Sequence, residues 1–90
     1  MMSAAQVKQT LENIASDLGL RNPMIQAERA GKWIHVLISS QDFSGKSAGE
    51  RDNLIWRELE KRFDDETILA ITQCYLLTPR EYNETVAVGS

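Results

Sequence analysis

The chain has 90 residues, 42% of them hydrophobic and 26% charged, with five glycines, two prolines and one cysteine. That suffices for one compact soluble domain and not for two, and a domain this small buries only about 60% of the surface its unfolded chain exposes, so every element must serve one core. Thirteen acidic against ten basic side chains leave a net charge of −3, which excludes a strongly basic nucleic-acid binder and broad adhesion to anionic membranes.

In the first stretch Val7, Leu11, Ile14, Ala15 and Leu18 recur at helical spacing along one side. Ser3 and Gln6 have capping-box spacing, and Gly19 stands where a left-handed residue would end the helix. Asn22-Pro23 reads as a turn, Met24 to Arg29 as a strand, and Ala30-Gly31-Lys32 as a reversal. Trp33 to Ser39 is the clearest strand. Its period of two puts Ile34, Val36 and Ile38 on one face and Trp33, His35 and Leu37 on the other.

Gln41 to Lys46 is a loop carrying Phe43 and Gly45, and Ser47 with Glu50 opens a second helix from Ala48 to about Phe63. Ile55, Leu59 and Phe63 form its apolar stripe, widened by Trp56; Asp52 falls near the stripe's middle, and Glu58 faces Arg62 on the wet side. Asp64-Asp65-Glu66 ends that helix at a charged turn, and Ile68 to Leu77, dense in β-branched and aliphatic residues, reads as the third strand. Thr78 as cap, Pro79 at the first helical position and Glu81 at the third start a short last helix. Residues 86–90 are expected to form a flexible tail.

The order helix, strand, strand, helix, strand, helix predicts one α+β domain over residues 1–85. The short reversal demands an antiparallel hairpin, and the helical connection to the third strand permits a parallel, right-handed crossover, which gives a three-stranded mixed sheet. The helices cover one sheet face, so the other must meet water or a partner. Cys74 has no second cysteine to pair with and no CxxC or Cys/His cluster around it, which points to a reducing compartment. Met1 to Thr10 lacks a signal-like apolar core, and no stretch reaches the roughly 18 apolar residues of a membrane span, so a cytoplasmic protein with no membrane partner is expected.

Asp42-Phe43-Ser44-Gly45-Lys46-Ser47, then Glu50-Arg51, Leu54-Ile55-Trp56 and Leu59, resembles the BolA-like family pattern of F-x-G-K-S, E-R and an apolar helix. Thr78-Pro79-Arg80-Glu81-Tyr82 is similar to that family's T-P-x-E-aromatic ending, so the resemblance spans Trp33 to Tyr82. It implies a class-II KH-like fold, αββαβα, and a small regulatory protein that partners monothiol glutaredoxins in redox, iron or stress regulation. Some family members share a 2Fe–2S cluster with that partner, and some bind DNA. The donors expected for a cluster are missing: Ala70 stands where such members carry a histidine near the last strand. The loop that often holds a second His or Cys reads Ala30-Gly31-Lys32-Trp33. No metal ligand and no cofactor is carried over. Asp52-Asn53 replaces the His-Arg often found after Arg51, which lowers the positive charge at that helix start.

Two groups of residues remain as candidate sites. Phe43, Gly45, Lys46, Ser47 and Arg51 form a loop and helix start that reads either as structure, with Phe43 an anchor and Ser47 a cap, or as a site for a phosphate or a partner's carboxylate. Trp33, His35 and Leu37 with Ile71, Tyr75 and Leu77 would make an apolar, aromatic patch on the outer sheet face, an interface for a protein partner or a second copy of the chain. His35 and Cys74 are expected on opposite faces, so they do not form a ligand pair. With no nucleophile beside a base, no paired carboxylates in a cleft and no cofactor fingerprint, the expectation is a non-catalytic interaction module. The alternative is a KH-like nucleic-acid-binding regulatory domain. It is disfavoured because Gly45 to Gly49 spells G-x-x-x-G, one residue longer than the backbone-gripping G-x-x-G loop.

Overall fold

The computed structural model describes residues 3–89, with side chains described as far as residue 85. Helix α1 (Ala4–Leu18) begins in a reciprocal capping box, Ser3 accepting from the Gln6 backbone N–H while Gln6 Oε1 accepts from the Ser3 N–H at 2.8 Å. It ends at Gly19, whose φ of 67° is a left-handed value that a Cβ would strain. Strands β1 (Met24–Ala30) and β2 (Trp33–Ser39) pair antiparallel around Gly31-Lys32. Gly31, at φ 63°, is the first residue of this two-residue turn, which matches the type II′ pattern that suits strand twist.

Helix α2 (Ala48–Arg62) opens in a second capping box, Ser47 with Glu50, and carries Lys61 and Arg62 in its last turn, where cations oppose the helix dipole. Strand β3 (Ile71–Leu77) lies parallel to β2, giving the sheet order β1-β2-β3, and helix α4 (Pro79–Gly89) follows it. This is the expected α+β domain with a mixed sheet. Val7, Leu11 and Ile14 of α1 and Ile55 and Leu59 of α2, all fully buried, cluster with Ile34, Val36 and Ile38 of β2. Each such side chain contributes about 1.5–3 kcal/mol by leaving water. The core therefore lies between the sheet and these two helices.

The structure departs from the sequence reading at four places. The third strand starts at Ile71 rather than Ile68, because Asp64 does not simply end α2: its carboxylate accepts from the Thr67 N–H at 2.7 Å and caps a further short helix, α3 (Asp65–Ala70). Ile71 does not join the outer face. The register runs Ile34↔Ile71 and then His35↔Gln73, so one extra residue enters β3, the side-chain alternation slips by one, and Ile71 turns inward to 6% exposure. Asp52 is exposed rather than central to the α2 stripe, so it needs no buried partner. Finally, α4 runs to Gly89, past the expected helix end; the side chains of the tail assigned to residues 86–90, and Ser90 altogether, lie outside the described residues. Among the described residues no helix is long and apolar enough to cross a membrane.

Candidate functional site

The loop before α2 is built from internal contacts. Ser40, fully buried, donates its hydroxyl to the Arg21 carbonyl at 2.9 Å and accepts from the Asp42 N–H at 3.2 Å. Asp42 in turn accepts from the Arg21 backbone N–H at 2.6 Å and from Arg21 Nε at 3.0 Å, and the first of these bonds holds its carboxyl below the usual range. A 3₁₀ turn, Gln41–Phe43, swings Phe43 into the core at 0% exposure. Gly45 follows at φ 77°, with open space where a Cβ would stand, so backbone conformation alone demands glycine there.

Arg51 ties this loop to the end of β3 and the start of α4. Its Nε donates to the Lys46 carbonyl at 3.0 Å; its Nη1 donates to the Leu76 carbonyl at 3.0 Å and to Glu81 Oε1 at 2.7 Å. The side chain is only 13% exposed, and its guanidinium lies 6.0 Å from the Phe43 ring centroid. Glu81 also closes a box with Thr78, accepting from the Thr78 N–H at 2.8 Å while its own N–H donates to Thr78 Oγ1 at 3.1 Å. Arg51 first, and the Thr78 N–H second, hold the Glu81 carboxyl below its usual range. Within the expected anion loop, Phe43, Gly45, Ser47 and Arg51 are therefore occupied with structure. Lys46 is exposed and stands near Glu50, whose carboxylate it helps to keep ionised behind the dominant Ser47 N–H bond.

The outer sheet face is different. Cross-strand rows run Gln26–Leu37–Tyr75 and Glu28–His35–Gln73, with Met24, Ser39 and Leu77 aligned at one end and Trp33 opposite Ala30 at the other. Tyr75 is 51% and Trp33 42% exposed, while His35, Leu37 and Leu77 are half-buried. Lys32 Nζ sits 4.8 Å from the Trp33 ring centroid, a cation–π contact at the hairpin tip. A shallow trough of about 190 Å³ runs over His35, lined by Gln26, Glu28, Leu37, Gln73 and Tyr75. The third helix of the sequence reading, now α4, touches this face among the described residues through Tyr82, whose hydroxyl accepts from Gln26 Nε2 at 3.5 Å.

Five of the six patch residues named from the sequence thus lie on this face, and Ile71 does not. The face also holds the polar side chains Gln26, Glu28 and Gln73, which the sequence-derived patch does not include. Counting the period of two outward from the Gly31-Lys32 turn would have found the two on β1, since they face the same way as His35. Leu69, 75% exposed at the end of α3, belongs to the aliphatic run whose composition alone reads as strand.

A shared metal cluster does not fit this donor set. His35 looks outward, whereas Cys74 lies half-buried on the helix side of the sheet, and burial, helped by the Asp52 charge, pushes its thiol up to about 12. The two donors therefore lie on opposite sides of the sheet and cannot share one metal. No group of three or more His, Cys, Asp or Glu side chains suited to a metal occurs among the described residues. No family model matches the chain, and no curated protein and no solved structure matches it.

Proposed function

We propose that the chain is a small BolA-like interaction and regulatory protein that works by binding rather than by catalysis, docking a protein partner across its outer sheet face. One observation carries this reading: two large aromatic side chains, Trp33 and Tyr75, stand in water on a sheet face whose opposite side is fully used by α1 and α2. Exposed aromatics beside half-buried Leu37 and Leu77 are the composition of an interface centre, and Gln26, Glu28 and Gln73 supply polar groups around it.

The partner class implied by the resemblance is a monothiol glutaredoxin, in redox, iron or stress regulation. The test is anaerobic co-expression of the two proteins followed by size exclusion and visible absorption, with wild type and with the Trp33→Glu, Tyr75→Glu double variant. Co-elution lost in the variant is the expected result. Separate elution of the wild-type proteins would sink the partner assignment. A cluster spectrum that vanishes in a His35→Ala variant would instead contradict the donor argument above. Salt-dependent binding to oligonucleotides, with no glutaredoxin complex, would shift the reading to the KH-like nucleic-acid module.

A further inference from the structure

The sheet has two edges, and they are treated differently. At β3 the edge is blunted: its start carries the irregular register, and near its end Arg51 Nη1 takes up the Leu76 carbonyl. Strand β1 has no such cover. It runs seven residues in unbroken register with β2 and contains no proline and no bulge. Because Ala30 and Trp33 close the two-residue turn, the backbone groups of Ala30, Glu28, Gln26 and Met24 point to β2. Those of Ile25, Ala27 and Arg29 point out from the edge, and no hydrogen bond engages them among the described residues.

We propose that β1 is the pairing strand of a two-fold dimer of this chain, in which two three-stranded sheets join edge to edge into one of six strands. This surface is the sheet's edge, distinct from the face assigned to a partner above, and the inference does not rest on that assignment. The register follows from the free groups. Antiparallel pairing centred on Ala27 sets Ala27 against Ala27 and Ile25 against Arg29, and only this alignment satisfies all three free donors and all three acceptors of each copy. Its side-chain pairs are compatible: Gln26 meets Glu28 on the outer face, and no like charges stand directly opposite.

The helix-side face adds a specific charge match. A cleft of about 250 Å³ between α1 and β1 is lined by Glu12, Ser16, Pro23 and Ile25. Asp17, on the other flank of α1, pairs with Arg62 of α2 at 2.7 Å, so the Glu12 flank looks away from α2 toward the free edge. Glu12 is exposed and has no ion pair among the described residues. Arg29 is exposed as well, and its Nε bonds only the Gly31 carbonyl of its own turn, at 3.1 Å. In the proposed register Arg29 of the second copy lies opposite Ile25, beside that cleft, where its guanidinium meets Glu12. Two-fold symmetry makes the contact twice.

Sedimentation of the full chain over a wide concentration range tests this, with Arg29→Glu, Glu12→Arg and the double reversal. The expected result is a concentration-dependent rise from one chain's 10.2 kDa to twice that mass. Each single reversal should weaken association about tenfold or more, and the double should restore it. Wild type that stays at one copy's mass overturns the proposal, as does a dimer indifferent to both single reversals or a double variant that fails to recover. Amide exchange on unmutated protein gives a second reading: the Ile25, Ala27 and Arg29 amides should become protected as concentration rises, and unchanged fast exchange in a dimeric sample would place the interface elsewhere.

Discussion

The loop before α2 and the outer sheet face hold the two sets of candidate residues, and their polar groups are used in opposite ways. In the loop, Ser40, Asp42, Ser47, Glu50 and Arg51 all bond to other parts of the same chain, and Phe43 is sealed beneath them. On the face, Trp33 and Tyr75 lie open, and no hydrogen bond engages the His35 side chain among the described residues. The stretch that most resembles a family motif is thus a structural knot, while the stretch with no motif has surface to spare. A recognisable pattern of residues can reflect the demands of folding as readily as those of binding.

That contrast can be broken most severely at Phe43. Truncation to alanine removes a fully buried ring and should cost about 3–5 kcal/mol in denaturant unfolding; a loss under about 1 kcal/mol would mean that the loop is not a core element. Arg51→Met comes next, because it strips a donor from the Leu76 and Lys46 carbonyls and from Glu81, with an expected loss of about 2 kcal/mol. The same variant should change the acid limb of stability. The folded Glu81 carboxyl titrates below its ordinary 4.5, so its contribution is complete above that value and disappears as pH falls through the lowered one. Wild type should therefore lose stability more steeply than Arg51→Met in that acid range, and parallel pH profiles would refute the latch.

Gly45→Ala is a milder probe, since the added methyl meets open space and only the left-handed backbone is penalised, by about 1 kcal/mol. The smallest expected change in stability is at the face. Trp33→Glu with Tyr75→Glu should shift unfolding by no more than about 0.5 kcal/mol per site while abolishing partner capture. A large stability loss there would mean that the aromatics belong to the fold, and the two regions would no longer differ in kind.

Much of this was legible along the chain. The capping boxes at Ser3 and Ser47, the left-handed Gly19, the alternation of β2 and the mixed pairing of the sheet all follow from neighbours a few residues apart or from the length of a connection. The Asp64 cap for Thr67 had a local signal too, but the aliphatic run after it reads equally well as strand, and only the pairing of Ile71 with Ile34 shows where helix gives way to sheet.

The order of residues along the chain is enough to set the elements and their apolar faces, because periodicity and capping act within one or two turns. Three-dimensional packing alone decided which face Ile71 joins, what Arg51 holds and which sheet edge is left bare. The parity of β3 depends on an extra residue measured against a remote strand, and Arg51 finds its partners 25 and 30 positions along the chain. The openness of β1 depends on which strands lie beside it. Such relations are set by distance in space, and spacing in sequence does not encode them.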